Sequence, residues 1–181
     1  NGYRNLLKWW NRKFGAMKIF EITGIPLNSM PSINKILWIR ENMPNIFGKA
    51  WKFVCFEDYV VWKLSGEAAI DYSLASRMMM LDIRRKRWSS KILEAVDLDE
   101  DLLPNVCPSG RVVGEVHAKA SDETGLKAGT PVVAGGHDQE CGALGVGVIE
   151  EGPTMDATGS VECIASTMKE PILTRKMLEA G

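Results

Sequence analysis

This chain has only two histidines and four cysteines in 181 residues. Cys55, Cys107, Cys141 and Cys163 stand far apart, and none forms a C-x-x-C pair. His117 and His137 are isolated in sequence, so no zinc-site spacing arises and no structural metal is expected. Free thiols in a reducing cytoplasm are the expectation. No apolar run approaches the ~20 residues of a membrane-spanning helix. The opening residues, Asn1 to Asn5, lack a charged-then-apolar leader. Charge of neither sign dominates: a net charge of -1 gives no general attraction to nucleic acid or to an anionic membrane. The G-x-G-x-x-G and G-x-x-x-x-G-K-[ST] nucleotide signatures are missing, as are internal repeats and low-complexity tracts.

What is present reads as a globular α/β protein. Apolar residues make up 45% and charged residues 25% of the chain, enough for one domain or one domain and a piece of another. The chain begins at Asn1 rather than Met and ends in a helix-like stretch, Thr174 to Glu179. Both suggest a piece of a longer protein, with trimming or a processed terminus as the plainer alternative.

The first half reads as helical. Helices are expected over Tyr3–Phe14, Met17–Ile22 with a stop at Gly24, and Ser32–Asn42 with Ile33, Ile36 and Leu37 on one face and Pro44 ending it. Trp51–Cys55 is expected as the end of a strand. Further helices are expected over Phe56–Leu64 and Trp88–Val96. The second half reads as a strand over Arg111–His117, a helix over Ala118–Thr124 and a strand over Pro131–Ala134. A helix over Asp138–Leu144 and two strands flanking Thr158-Gly159-Ser160 follow. Acidic, Gly and Pro residues cluster at Glu150-Glu151-Gly152-Pro153, the natural place for a boundary.

Chemistry concentrates at Gly135-Gly136-His137-Asp138-Gln139. A strand, a Gly-Gly turn, one acidic residue and a small-residue helix place Asp138 at a strand's carboxyl end, where open α/β sheets hold ligands. A lone carboxylate there can accept a proton from a substrate hydroxyl. The plainer alternative is a tight turn before a closely packed helix. Asp156-Ala157-Thr158-Gly159-Ser160 can turn backbone N–H groups toward a phosphate, or be an ordinary hairpin turn. Asp71 or Ser73 can cap a helix. Arg84–Arg87 reads as a solvated basic turn, and Met78–Leu81 as core.

In this order the residues resemble the FGGY carbohydrate kinase family, which includes glycerol kinase and xylulokinase. The resemblance is carried by Ile22-Thr23-Gly24-Ile25-Pro26-Leu27 with Lys35 and Trp38, and by Asp58-Tyr59 through Ser65-Gly66-Glu67. Asp71 to Asp82, the Gly135–Gln139 turn and Thr158-Gly159-Ser160 complete it. It implies an actin-like (ribonuclease H-like) α/β fold. Residues 1–150 would be part of the first, sugar-binding domain and residues 151–181 the start of the second, ATP-binding domain. By the same resemblance Asp138 would be the general base. Met30, Asp71, His137, Asp138 and Gln139 would contact a sugar or polyol, and Thr158, Gly159 and Ser160 would face the phosphates of ATP with Mg2+. No protein ligand to a metal is expected. The family's first phosphate hairpin, Asp-x-Gly-Thr/Ser, lies outside these residues, so the chain is expected to be inactive alone. A non-catalytic sugar-binding or regulatory relative of the same fold is the alternative. Methionine at position 30 argues against glycerol. Homo-oligomerisation stays open.

Overall fold

The computed structural model describes residues 2–180, with side chains described from residue 6 onward; Asn1 and Gly181 lie outside. The amino-terminal part is a helical layer: α1 (Gly2–Lys13), α2 (Ala16–Thr23), α3 (Ser32–Asn42), the short α4 (Pro44–Phe47) and α5 (Phe56–Ser65). Helix α2 stops at Gly24, whose φ of 69° is the left-handed conformation open to glycine, with its N–H on the Phe20 carbonyl. Pro44 does not merely end α3. It occupies the first turn of α4, where its missing N–H costs nothing.

Trp10 and Asn34 join α1 to α3 inside the core: the buried indole Nε1–H donates to Asn34 Oδ1 at 3.0 Å, and Asn34 Nδ2 donates to the Asn28 carbonyl at 3.1 Å. Around this pair pack Ile19, Ile33, Ile36, Leu37 and the Met78–Leu81 run, all buried. The methionine run is core, as its composition implies.

The centre of the chain is less helical than its sequence suggests. Strand β1 (Ala69–Asp71) leads into α6 (Tyr72–Arg77). Strands β2 (Leu81–Asp82) and β3 (Arg87–Trp88) then form a small antiparallel pair, followed by α7 (Ser90–Val96), a 3-10 turn (Glu100–Leu102) and β4 (Asn105–Cys107). Trp88 therefore belongs to a strand, and the helix expected from it starts at Ser90; the indole is held by Nε1–H donating to the Pro104 carbonyl at 2.9 Å. Trp51–Cys55 is not a strand, since it is tied to the 3-10 turn by the Phe53 N–H on the Leu102 carbonyl and joins no ladder. The basic run is a solvated turn closed by Asp82, which takes the Arg84 and Arg85 N–H groups and pairs with the Arg85 guanidinium at 2.8 Å.

Strand β1 pairs with β4 in parallel, Asp71 opposite Cys107. Strands β5 (Val112–Glu115) and β6 (Pro131–Val133) pair antiparallel on either side of α8 (Ala118–Thr124). The buried residues joining the two pairs are small, Ala69, Cys107 and Ala134, which brings their backbones close together. Helix α9 (Asp138–Gly145), the β7 (Thr154–Ala157)–β8 (Cys163–Ser166) hairpin and α10 (Arg175–Ala180) complete the chain.

Gly114 sits where the β5–β6 register shifts, against the end of α5. A Cβ there would stand 2.9 Å from Ser65 Cβ and 3.4 Å from Glu67 Cγ. Ser65 cannot swing away without releasing the Val61 carbonyl that its hydroxyl binds. Gly114→Ala should therefore cost about 1–3 kcal/mol, the usual penalty of overpacking, read as a lower denaturant midpoint at unchanged m-value.

Candidate active site

Three carboxyl-terminal strand ends meet at one place. Strand β1 ends at Asp71, β4 runs into Pro108-Ser109-Gly110, and β6 runs into the Gly135–Asp138 turn. The last two are pinned together by the Gly110 N–H on the Ala134 carbonyl (2.8 Å) and the Ala134 N–H on the Arg111 carbonyl (2.9 Å).

Asp71 is 2% exposed. Its Oδ1 accepts the Leu74 N–H at 3.1 Å, and its Oδ2 accepts the Ser73 N–H at 2.8 Å, which caps α6. The same Oδ2 accepts the hydroxyls of Ser73 (2.6 Å) and Ser109 (2.7 Å). Ser73 Oγ in turn accepts the N–H of His137, 64 residues on, at 2.8 Å. Gly136 lies at this approach. A Cβ on it would lie 3.1 Å from Cys141 Sγ, 3.4 Å from Ser73 Oγ and 3.7 Å from Ser109 Oγ. Gly135 next to it has nothing within 4 Å of its would-be Cβ and faces open space.

Asp138 opens α9, and its side chain is 83% exposed. The His137 ring lies beside it: Nδ1 is 3.0 Å from Asp138 Oδ1 and 2.7 Å from Glu140 Oε2. A ring nitrogen between two carboxylate oxygens carries the proton and donates. The Gln139 N–H, 3.3 Å from the same nitrogen, then has no lone pair to use there and remains available at the amino end of α9. This end of the helix offers an exposed carboxylate beside free N–H dipoles.

The structure thus gathers Asp71, His137, Asp138 and Gln139 around one turn. Asp71 lies beneath the surface with all its hydrogen bonds made inside the protein; Asp138 stands open. Met30 is 78% exposed on the α2–α3 loop. The start of α3 that follows it meets the far end of α6, where the Ile33 N–H donates to the Met78 carbonyl. Thr158, Gly159 and Ser160 are exposed in the turn between β7 and β8, and their N–H groups donate to no backbone carbonyl outside that ladder. Strand β7 lies against α9, with Met155 Sδ 3.6 Å from a Cβ built on Gly142. His117 is a cap: its Nδ1 accepts the Ala120 N–H at the start of α8.

Sequence reasoning missed Ser109, whose role depends on the β1–β4 register. It also missed Asp58. This residue is 1% exposed; its Oδ2 accepts the Cys55 N–H at 2.8 Å while its Oδ1 has no partner among the described residues. Burial pushes its carboxyl up to about 6. Its signals in the sequence are its place at the head of the Asp58–Glu67 motif and three residues into a helix, the capping-box position. A folded-state pKa above the unfolded value means that the folded protein holds this proton longer than the unfolded chain does. Stability from this site is therefore full below about pH 4 and falls as pH rises to about 6. Asp58→Asn should remove that fall and be more stable than the parent at pH 8 by on the order of 1–3 kcal/mol, measured by denaturant unfolding across pH 4–8.

Residues 4–145 match the N-terminal domain of the FGGY family of carbohydrate kinases. The autoinducer-2 kinase of Yersinia pestis bv. Antiqua (strain Angola) is 36% identical over 163 residues, covering 89% of this chain and 30% of the relative. The autoinducer-2 kinase of Yersinia pseudotuberculosis serotype O:3 (strain YPIII) is 35% identical with the same coverage. Among solved structures, ligand-bound xylulose kinase from Lactobacillus acidophilus superposes with a TM-score of 0.88 at 20% identity, over 98% of this chain and 36% of that one. Plasmodium falciparum glycerol kinase with ADP gives 0.80 at 20% identity, over 91% and 33%. The chain thus spans about 30% of the length of the curated relatives it matches, and it has the actin-like α/β fold of these kinases. Among the described residues no group of three His, Cys, Asp or Glu is placed to hold a metal, and no helix is long and apolar enough to cross a membrane. With the match over residues 4–145 and the shared fold, the chain belongs to the FGGY family of carbohydrate kinases.

Proposed function

We propose that the chain is part of an ATP-dependent kinase that phosphorylates a hydroxyl of a sugar or polyol. Residues 1–150 would form part of the sugar-binding domain and residues 151–181 the start of the ATP-binding domain. The observation that carries this reading is Asp138: an exposed carboxylate on a backbone fixed from both sides, at the meeting point of three strand ends. In this role Asp138 accepts the proton of the attacking hydroxyl as its oxygen bonds to the γ-phosphorus and the bond to the departing ADP breaks. Phosphoryl transfer depends mainly on placement and charge neutralisation, so a single placed carboxylate is a sufficient base. His137 steadies that carboxylate through Nδ1–H, and the open face above Gly135 leaves room for substrate.

The donor set fits ATP with Mg2+. The Thr158–Ser160 turn offers two hydroxyls and uncommitted N–H groups to phosphate oxygens. One exposed carboxylate without a protein cage suits Mg2+, which keeps waters and sits on the nucleotide phosphates. Bound there, Mg2+ would offset charge on the transferring phosphoryl group. Four free thiols fit a reducing cytoplasm.

A coupled ADP-release screen on a full-length kinase carrying this segment tests the reading. Autoinducer-2 is the first compound to try, because the curated relatives at 35–36% identity act on it by name; pentuloses, hexuloses and polyols follow. Substrate-dependent ADP release is expected. Binding of a sugar without ADP release would instead identify the non-catalytic relative.

A further inference from the structure

Asp71 has more partners than a helix cap needs. Two N–H groups from α6 suffice to cap the helix, yet Oδ2 also takes the Ser73 and Ser109 hydroxyls, at 2.6 and 2.7 Å. Ser109 comes from the loop after β4 and Ser73 from the first turn of α6, so one buried carboxylate ties two segments together. Its effect on Ser73 is specific. A serine hydroxyl has one proton; with that proton given to Asp71, Ser73 Oγ presents only lone pairs to its other neighbours. The neighbour it meets is the His137 N–H, at 2.8 Å.

That amide belongs to the residue immediately before Asp138. Holding it fixes the peptide plane between Gly136 and His137, and so the direction in which the chain enters α9. A Cβ on Gly136 would meet these hydroxyls at ordinary contact distances, 3.4 and 3.7 Å, and would crowd Cys141 Sγ at 3.1 Å. The His137 ring holds the Asp138 carboxylate from the other side. Both restraints act through His137, its N–H on Ser73 and its ring on the carboxylate.

We infer that Ser73, oriented by Asp71 and braced by Ser109, is a positioning residue that sets the direction of Asp138 during proton abstraction. The inference rests on the reading of Asp138 as the base. It concerns kcat, because a small misplacement of a reacting group costs up to ~10²-fold in rate while the nucleotide site is left alone.

The test uses a full-length kinase carrying this segment and compares Ser73→Ala, Ser73→Thr, Ser109→Ala, Asp138→Asn and the Ser73→Ala/Asp138→Asn double variant. Ser73→Ala should lower kcat about 10- to 100-fold with the KM for ATP unchanged. Ser73→Thr, which keeps the hydroxyl, should recover most of that loss. Ser109 is exposed, so Ser109→Ala will fold, and it should lower kcat about threefold by loosening the brace. In the Asp138→Asn background Ser73→Ala should cost nothing further, because there is no base left to aim. An equal loss in both backgrounds, or a Thr variant as slow as the Ala variant, would mean a packing role and overturn the inference. Asp138→Asn inactive with Ser73→Ala and Ser109→Ala both at full rate would overturn it while leaving the base intact. Full turnover in Asp138→Asn would remove the reading on which it rests. If Ser73→Ala fails to fold, Ser109→Ala decides: a lowered kcat supports the brace, and an unchanged one overturns it.

Discussion

Asp138→Asn in a full-length kinase carrying this segment should lower kcat by about 10²–10⁴-fold, the usual contribution of a general base. Folding should be almost untouched. The side chain is 83% exposed, so asparagine displaces no packing, and surface substitutions of this kind usually stay within about 0.5 kcal/mol. The amide oxygen can still accept the His137 Nδ1–H, which keeps the local geometry. What disappears is the capacity to hold a proton. The KM for ATP should stay near its parent value, because the proposed nucleotide contacts lie on a separate element, the Thr158–Ser160 turn. Steady-state kinetics with thermal unfolding on the same preparation separates the two effects. Unchanged turnover would show that another group takes the proton.

Asp71→Ala should give the second large effect, on stability and on rate together. Removing the carboxylate, itself 2% exposed, leaves two helix N–H groups and the hydroxyl of half-buried Ser73 without this acceptor, while exposed Ser109 can turn to water. The lost cap alone costs about 1 kcal/mol, and buried donors left unpaired cost about 1–3 kcal/mol each before the hydroxyls rotate away. A net loss of about 2–4 kcal/mol follows, read as a fall in Tm of roughly 5–15 °C for a unit of this size. Turnover in the folded fraction should fall as well, because the Ser73 hydroxyl is then free to turn its proton toward His137. Asp71→Asn should sit between parent and alanine, since one amide oxygen can serve only some of the four donors. A Tm within about 2 °C of the parent for Asp71→Ala would contradict this role for the carboxylate.

The sequence exposed some of this arrangement and hid the rest, for physical reasons. The Gly-Gly turn, the helix after it and the β5–β6 strands were legible because glycine and alternating valines leave strong local signals. Helix α3 was legible from Ile33, Ile36 and Leu37 on one face. The β1–β4 pair was not, because Ala-Ile-Asp and Asn-Val-Cys are too short to show a period. Their pairing is a long-range fact, as is the meeting of Ser109 with Asp71 that follows from it. Trp88 reads as helical beside Ser89 and Ser90, yet tertiary burial of its indole draws it into a strand. Asp58 and Asp71 look alike in sequence as acidic residues near helix starts. Only the structure separates one with a bare buried oxygen from one with four donors.

The most direct test of Asp138 as the proton acceptor is a crystal structure of a full-length kinase carrying this segment, bound to its sugar and a non-hydrolysable ATP analogue. An Asp138 carboxylate oxygen is predicted within ~2.6–3.2 Å of the hydroxyl that faces the γ-phosphoryl group. A closed complex in which that hydroxyl donates to another residue, with Asp138 turned to solvent, would contradict it.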